Sequence, residues 1–383
     1  MKHYRLSVPA RINVLGNPSD GNEGDFHTIS AAIEVRAGAW VEPAEVLQFD
    51  EYRHGAGGQL APAGRVEDVQ ATLTGDGAML PKAAMRQLLA FSPEFAAKFA
   101  GQKVRLATWT DVPRLSGLGG SSLLIILALA ALRAAYELDP WRHNDYVLAE
   151  LTQRVEGKEL GIACGFADRY VPVFGGLAYI DYRGKLWHRP IGEEPYCTYE
   201  RLDGRASELP LVVCSTGLDR ASGDVHGVMR PRYLEEQAAY EKNGQGAGRP
   251  FMLRVMEAAG ATAWRGKMAL LAGDLATFGR LMNENHRLVN EMMAYCGLRG
   301  DEGVQITNGL IDAALAEGAL GAKLTGAGGR GSVFALVRPG DEARVAEAFG
   351  RAAQRAGLGE AVVFAPRVAL QGLVVEEESA CRE

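Results

Sequence analysis

Cysteine, long apolar runs and blocks of like charge are all scarce in this chain. The five cysteines (Cys164, Cys197, Cys214, Cys296 and Cys381) are widely spaced and odd in number, with no Cys-x-x-Cys and no Cys/His spacing. That pattern points away from a zinc motif and a disulfide framework and fits a reducing, cytoplasmic setting. The most hydrophobic stretch, residues 123–132, is ten residues long. That is too short to cross a bilayer, so no membrane partner is expected. The N-terminus lacks the long apolar core of a signal peptide. Net charge is −6 with no cluster of lysines or arginines, which argues against a nucleic-acid partner. An anionic substrate would have to meet a few local arginines instead. No internal repeat or low-complexity segment interrupts the chain.

What remains is an ordinary globular composition, 47% hydrophobic and 23% charged. A length of 383 residues exceeds one small core and predicts two domains. A change of texture near residue 205 divides them into 1–205 and 206–383. Strands are predicted at 3–8, 31–42, 104–110, 178–182 and 209–214. Helices are predicted at 81–100, 121–136, 144–160, 251–272, 275–294, 302–318 and 341–356. Residues 185–189 are expected to pair back on 178–182 as a hairpin around Arg183 and Gly184. Residues 215–227 read as a loop, and two strands within 360–375 are expected to finish the fold. Strands and helices mix without strict alternation, which predicts an α+β class.

One stretch organises the rest. Residues 113–122 read Pro-Arg-Leu-Ser-Gly-Leu-Gly-Gly-Ser-Ser and run directly into the apolar helix 121–136. Glycines let a backbone take positive φ and approach a ligand closely. Ser121 or Ser122 is positioned to cap the helix, whose first N–H groups lack internal partners. Free N–H groups and the positive end of the helix dipole make a phosphate cradle. By itself the pattern favours a capped turn into a buried helix.

Two further loops bear on that choice. Residues 9–20 contain Pro9, Arg11, Asn13 and Gly16 and end in Asn17-Pro-Ser-Asp20. Residues 323–332 read Lys-Leu-Thr-Gly-Ala-Gly-Gly-Arg-Gly-Ser. Together, in this order, the three loops resemble the signature motifs of the GHMP kinases: Pro-x-Arg-x-Asn-x-x-Gly, the phosphate loop, and the C-terminal Lys-x-Thr-Gly-Ala-Gly-Gly loop. The resemblance spans essentially the whole chain. The longer Gly-Leu-Gly-Gly-Ser-Ser, the Asp168-Arg169 pair and the Gly176-Leu-Ala-Tyr-Ile-Asp181 segment look like the glucuronokinase branch. Heptose and fucose kinases share parts of the pattern.

The resemblance implies a two-domain fold: an N-terminal ATP-binding domain with a left-handed βαβ-type nucleotide site, and a ferredoxin-like C-terminal domain. It implies an ATP- and Mg²⁺-dependent kinase that phosphorylates a small sugar or sugar acid, glucuronate first. A heptose phosphate or fucose-type acceptor is the alternative, and a non-catalytic sugar- or nucleotide-binding protein is the reading from another class. The protein is expected to be a monomer or homodimer.

Residue by residue, the family pattern carries ATP contacts to Pro113, Ser116, Gly117, Leu118, Gly119, Gly120, Ser121 and Ser122. A Ser121 or Ser122 hydroxyl would sit on Mg²⁺, with Glu156 as carboxylate partner and Glu159 as its rival. Asp168 is the expected base and Arg11 its basic neighbour. Asp20, Asn17, Gly326, Ala327 and Gly328 would face the substrate. Arg169, and less strongly Arg36, are candidates for a substrate carboxylate. Arg330 has no assigned role. His27, His226 and His286 read as core or surface residues, although His226 and Arg220 lie where a second-domain loop can face substrate.

Overall fold

The computed structural model describes residues 2–22, 24–54, 59–67, 78–113, 116–185, 189–206, 209–218, 223–243, 248–326 and 330–378. Two long strands, β1 (His3–Leu15) and β2 (His27–Ala44), flank a 3-10 turn at Ser19–Gly21. A hairpin follows, β3 (Gln48–His54) and β4 (Leu60–Glu67), then α1 (Met79–Phe91), α2 (Pro93–Gly101) and β5 (Lys103–Thr110). The glycine-rich stretch leads into α3 (Gly120–Ala135), then α4 (Asp145–Arg154), α5 (Ala167–Phe174), β6 (Leu177–Asp181) and β7 (Thr198–Arg201).

The second half begins with the short α6 (Asp203–Ala206) and β8 (Leu211–Ser215). Helices α7 (Gly223–Lys242), α8 (Phe251–Leu271), α9 (Leu275–Tyr295) and α10 (Glu302–Ala316) follow. Strands β9 (Gly321–Leu324) and β10 (Ser332–Leu336) precede α11 (Glu342–Arg355), β11 (Val362–Phe364) and β12 (Val374–Glu378).

The first sheet runs β12-β1-β2-β5-β3-β4, with β6 also on β2 and β7 on β6. The early part of β2 pairs with β6 and its later part with β5, both antiparallel. Strands β5 and β6 therefore run parallel to each other, joined through α3, α4 and α5. The second sheet runs β11-β8-β10-β9, all antiparallel. With helices between β8 and β9 and α11 between β10 and β11, this is the ferredoxin-like arrangement.

Helix α3 has no polar face, and the fold gives it none. It is enclosed by β1, β2, β5, α1, α4 and α5. Leu123, Ile125, Ile126, Leu127, Leu129 and Leu132 are all fully buried. Each contributes about 1.5–3 kcal/mol of burial, so the N-terminus of α3 is set on a rigid axis.

Several expectations need correction. The helix predicted over 81–100 is two helices, because Ser92 is extended, accepts from Phe95 N, and is followed by Pro93 in the first turn. The helix predicted over 144–160 loses its α geometry in a π-helical turn at Val155–Glu159. Strand β6 pairs with β7; of the expected partner 185–189, residues 186–188 lie outside the described residues, and Lys185 is drawn inward to buried Glu150. Residues 223–242 form a helix whose first turn takes in the end of the predicted loop 215–227.

The last residues also cross the expected 205/206 boundary. Strand β12 pairs with β1, and Ala369 exchanges backbone bonds with Ala32 and Gly176. The chain end thus completes the first sheet by covering the edge of β1, while β11 stays with the second.

Two contacts in this scaffold set the first loop. Asp20 is buried and its Oδ2 accepts from Phe166 N and Ala167 N, both at 3.0 Å, capping α5. Gly165 makes that approach possible, for a Cβ there would lie 2.1 Å from Asp20 Oδ2. Lys323 is fully buried; its Nζ donates to Asn17 Oδ1 (2.7 Å), Leu324 O (2.9 Å) and Asn13 O (3.2 Å). Burial pushes this ammonium down to about 7.

Lys323→Met removes the donor for three buried acceptors. Each orphaned group costs about 1–3 kcal/mol, so urea unfolding should show a loss of at least about 2 kcal/mol; an unchanged midpoint contradicts the role. Burial, reinforced by the Asp168 charge, raises Asp20 from 3.8 to about 6. The folded state then holds this proton more tightly than the unfolded chain. The resulting stabilisation is full below about pH 4 and lost as pH rises to about 6. The stability of the wild-type protein relative to Asp20→Asn should fall across that window and stay flat above it, as read by urea unfolding at stepped pH.

Candidate active site

The glycine-rich loop and the start of α3 open on a cleft of about 720 Å³. Neither serine caps the helix. Gly119 is the N-cap, at φ +93°, and makes no side-chain cap hydrogen bond. The first intrahelical bond is Leu123 N to Gly119 O. The N–H groups of Gly120, Ser121 and Ser122 therefore remain as the donors of an uncapped helix N-terminus lining the cleft. Ser121 is exposed there, and Ser116 Oγ is buried with no hydrogen-bond partner. An orphaned hydroxyl beside free N–H groups is what an oxyanion would satisfy. Pro113, Gly117, Gly119 and Gly120 also line the cleft. Leu118 does not: its side chain is in the core and its carbonyl accepts from Arg11 N at 3.3 Å.

Arg11 projects from β1 into the same space. Its Nε donates to Asp168 Oδ1 at 2.6 Å, and Nη2 lies 2.5 Å from Oδ2. Its Nη1 donates to Gly117 O at 2.5 Å, so the guanidinium also fixes the loop. Asn13 Nδ2 donates to Asp168 Oδ1 at 3.1 Å and is itself oriented by Ser30 Oγ, which donates to Asn13 Oδ1 at 3.0 Å. Burial pushes the Asp168 carboxyl up, but the Arg11 charge and the bonds from Arg11 and Asn13 together outweigh it and hold it below its ordinary value. Asp168 is 22% exposed, the most open member of the group, and lines the cleft.

Glu156 and Glu159 lie in different surroundings. It is buried, lines the cleft and accepts from Ser122 Oγ at 3.0 Å. Glu159 sits outside the cleft lining and pairs with Arg86 at 2.8 Å. Residues three apart share a face in an α-helix, but the π-helical turn separates these two. A hydroxyl and a carboxylate side by side suit a hard divalent cation that takes its other ligands from water and phosphate. Among the described residues no cluster of three or more His, Cys, Asp or Glu side chains that could hold a metal exists.

The expected substrate residues separate. Arg169 lines the cleft but is fully buried, ion-paired to Glu156, and donates to Gly165 O at 2.6 Å. Burial lowers its guanidinium to about 9. Asn17 is committed to the protein at both ends of its amide, to Gly326 O (3.0 Å) and Lys323 Nζ (2.7 Å), and does not line the cleft. Asp20, spent on the α5 cap, does not line it either. Gly326 does, beside Thr325, whose Oγ1 accepts from Asn13 N. Ala327 and Gly328 lie outside the described residues, as does Arg220. Arg36 is away from the cleft and donates to Gly372 O. Arg330 lines the cleft 3.7 Å from Asp301.

Apart from His226, further cleft residues were not anticipated. Trp109 and Tyr52 add aromatic surface to the cleft, with Trp40 packed behind Trp109 at 4.2 Å between centroids and a 33° tilt. Trp109 sits on the strand that feeds the loop, four residues before Pro113, and that proximity was a readable signal. His54 pairs with Asp111 nearby at 2.5 Å. His226 joins from α7 and Cys164 from the segment before α5.

Comparison with known proteins agrees with this geometry. Residues 80–176 match the GHMP kinases N terminal domain, and residues 268–355 match the GHMP kinases C terminal domain. "Probable glucuronokinase 2" from Arabidopsis thaliana is 30% identical over 85% of this chain and 82% of its own length. Mevalonate kinase from Pyrococcus horikoshii is 28% identical over 70% of this chain and 68% of its own. The crystal structure of Lactococcus lactis galactokinase complexed with galactose shares the fold, with a TM-score of 0.73 over 97% of this chain and 95% of that one at 19% identity. The chain belongs to the GHMP kinase family and is one of its ATP-dependent kinases.

Proposed function

We propose that this kinase transfers the γ-phosphoryl group of ATP to a hydroxyl of a sugar acid, with the anomeric hydroxyl of glucuronate the first candidate. The observation that carries the reading is the carboxylate of Asp168, clamped by Arg11 and Asn13 next to an uncapped helix N-terminus. The similarity to a plant protein named as a glucuronokinase supports the choice of acceptor.

In this reading the N–H groups of Gly120, Ser121 and Ser122, with Ser116 Oγ, hold the phosphates, and Trp109 and Tyr52 offer aromatic surface to the base. Ser122 and Glu156 would hold Mg²⁺, which would supply neutralisation of phosphate charge. Asp168 accepts a hydrogen bond from the acceptor hydroxyl and points its oxygen at phosphorus. A bond forms from that oxygen to the γ-phosphorus, the bond to the β,γ-bridging oxygen breaks, and ADP leaves. The hydroxyl proton passes to Asp168.

A carboxylate held below its ordinary pKa is a weak base. It suits a loose transition state, in which the hydroxyl becomes acidic only as the phosphoryl group arrives. Its contribution is then chiefly orientation, with Arg11 offsetting charge on the transferred group.

ADP release measured against glucuronate, galacturonate, neutral hexoses, fucose and sugar phosphates tests the acceptor. Turnover confined to a sugar phosphate or to fucose moves the protein to the heptose- or fucose-kinase reading, and no turnover with any of them favours a binding protein. With the best acceptor, Asp168→Ala should lower kcat about 10²–10⁴-fold with little change in the KM for ATP; unchanged kcat removes Asp168 from the mechanism. Glu156→Gln should raise the Mg²⁺ concentration for half-maximal rate by about tenfold or more, while Glu159→Gln leaves it unchanged. The opposite ranking would assign the metal to Glu159.

A further inference from the structure

The motif offers Arg169 to a substrate carboxylate, but the fold gives it a carboxylate of the protein's own. Its guanidinium, fully buried on α5, is ion-paired to Glu156 through Nη2. Its Nη1 donates to Gly165 O at 2.6 Å and stands 3.6 Å from Asp168 Oδ2. With both terminal nitrogens engaged, this side chain has little room to turn toward a ligand. Glu156 is equally committed: Oε2 meets Arg169, and Oε1 accepts from Ser122 Oγ at 3.0 Å. The pair therefore ties α5 to the π-helical turn beside the start of α3.

The charges at this end of the cleft balance. Asp168 has the guanidinium of Arg11, and Glu156 has that of Arg169. Asp20, which also reaches Arg169, is turned to the N–H groups of α5 and does not line the cleft. Glu51 and Asp111, the other acidic residues of the lining, pair with Arg53 and His54. A carboxylate buried without a counter-charge draws a proton or a cation, and Arg169 already meets that need for Glu156. A divalent cation arriving alone would add its charge to a neutral pair, with the Arg169 charge directly behind Glu156. A cation arriving with a polyphosphate brings its own counter-charge, and the N–H groups at the start of α3 receive the phosphates.

We propose that Arg169 is a positioning residue that makes metal binding depend on the nucleotide. It holds Glu156 toward Ser122 and cancels its charge, so that a divalent cation is bound together with nucleotide phosphate and not by the protein alone. This rests on the reading of Ser122 and Glu156 as the pair that would hold the metal. It adds that Arg169 serves the metal carboxylate and not an acid group of the sugar.

The test titrates the full chain with Mn²⁺, with and without ADP, and reads free Mn²⁺ by electron paramagnetic resonance. It compares wild type with Arg169→Met, Arg169→Gln, Arg169→Lys, Glu156→Gln and the double variant Arg169→Met with Glu156→Gln. Wild type should bind Mn²⁺ about tenfold or more weakly without ADP than with it. Arg169→Met and Arg169→Gln should tighten the nucleotide-free Kd about tenfold or more. That gain should vanish in the double variant, and Arg169→Lys, which keeps the charge, should stay near wild type. In the two neutral variants, Mn²⁺ without nucleotide should also raise the thermal midpoint, which it should not do in wild type. A merely structural Arg169 would lower thermal midpoints on substitution without any gain in Mn²⁺ affinity.

A nucleotide-free Kd that is unchanged or weaker in both neutral variants, or a gain that persists in the double variant, overturns the role of Arg169 while leaving Glu156 as the metal carboxylate. The wild-type comparison needs no substitution: Mn²⁺ bound as tightly without ADP as with it overturns the proposal as well. ADP-dependent Mn²⁺ binding that Glu156→Gln leaves unchanged overturns both the proposal and the metal reading beneath it.

Discussion

The ion pair between Arg11 and Asp168 is the constraint on which the rest of the site depends. Burying a charge pair is favourable only when its geometry is good and the remaining donors are met. Here one guanidinium contacts both oxygens of a carboxylate and the carbonyl of Gly117, while its own backbone N–H reaches the carbonyl of Leu118. A strand of the first sheet, the phosphate loop and helix α5 are thereby held in one arrangement. Displacing any of them would leave a buried charge without its partner.

The same economy governs the surroundings. Glu156 answers the charge of Arg169 and the hydroxyl of Ser122, and Asp20 is placed on the N-terminus of α5. The second half of the chain is sewn to this group by neutral and cationic donors: Asn13 to Thr325, Asn17 to Gly326, and Lys323 back to Asn13 and Asn17. The polar groups around the cleft thus divide into two kinds. Arg11, Asp168 and the Gly120–Ser122 backbone face the cleft; Asn17, Lys323 and Asp20 are spent on holding those groups still.

That division explains where sequence reasoning stopped. A motif shows that Asn17 and Asp20 belong to the site region, but not whether their polar atoms point at a ligand or at the protein, because loop neighbours distant in sequence decide it. Glu156 and Glu159 were indistinguishable on an α-helical template, and only the π-helical turn separates them. Leu118 sits in the middle of the phosphate loop yet faces the core, since the loop alternates its side chains between cleft and interior. His226, expected on a loop able to face substrate, stands in the first turn of α7 and lines the cleft. The break at Ser92 was, by contrast, legible in principle, as a serine followed by proline is a helix-start signal within the chain itself.

The sequence alone determined the class, the three loops, their order and the apolar helix behind the phosphate loop, because these rest on local backbone requirements and on contiguous motifs. It also identified Arg11 and Asp168 as a pair, through the motif they share with a family. Tertiary structure decided which residues of those loops reach the cleft, which glutamate meets Ser122, and that β12 returns to the first sheet. The physical reason is common to all three: each depends on which polar groups find partners across tens to hundreds of residues. Local propensity and spacing carry no information about that pairing.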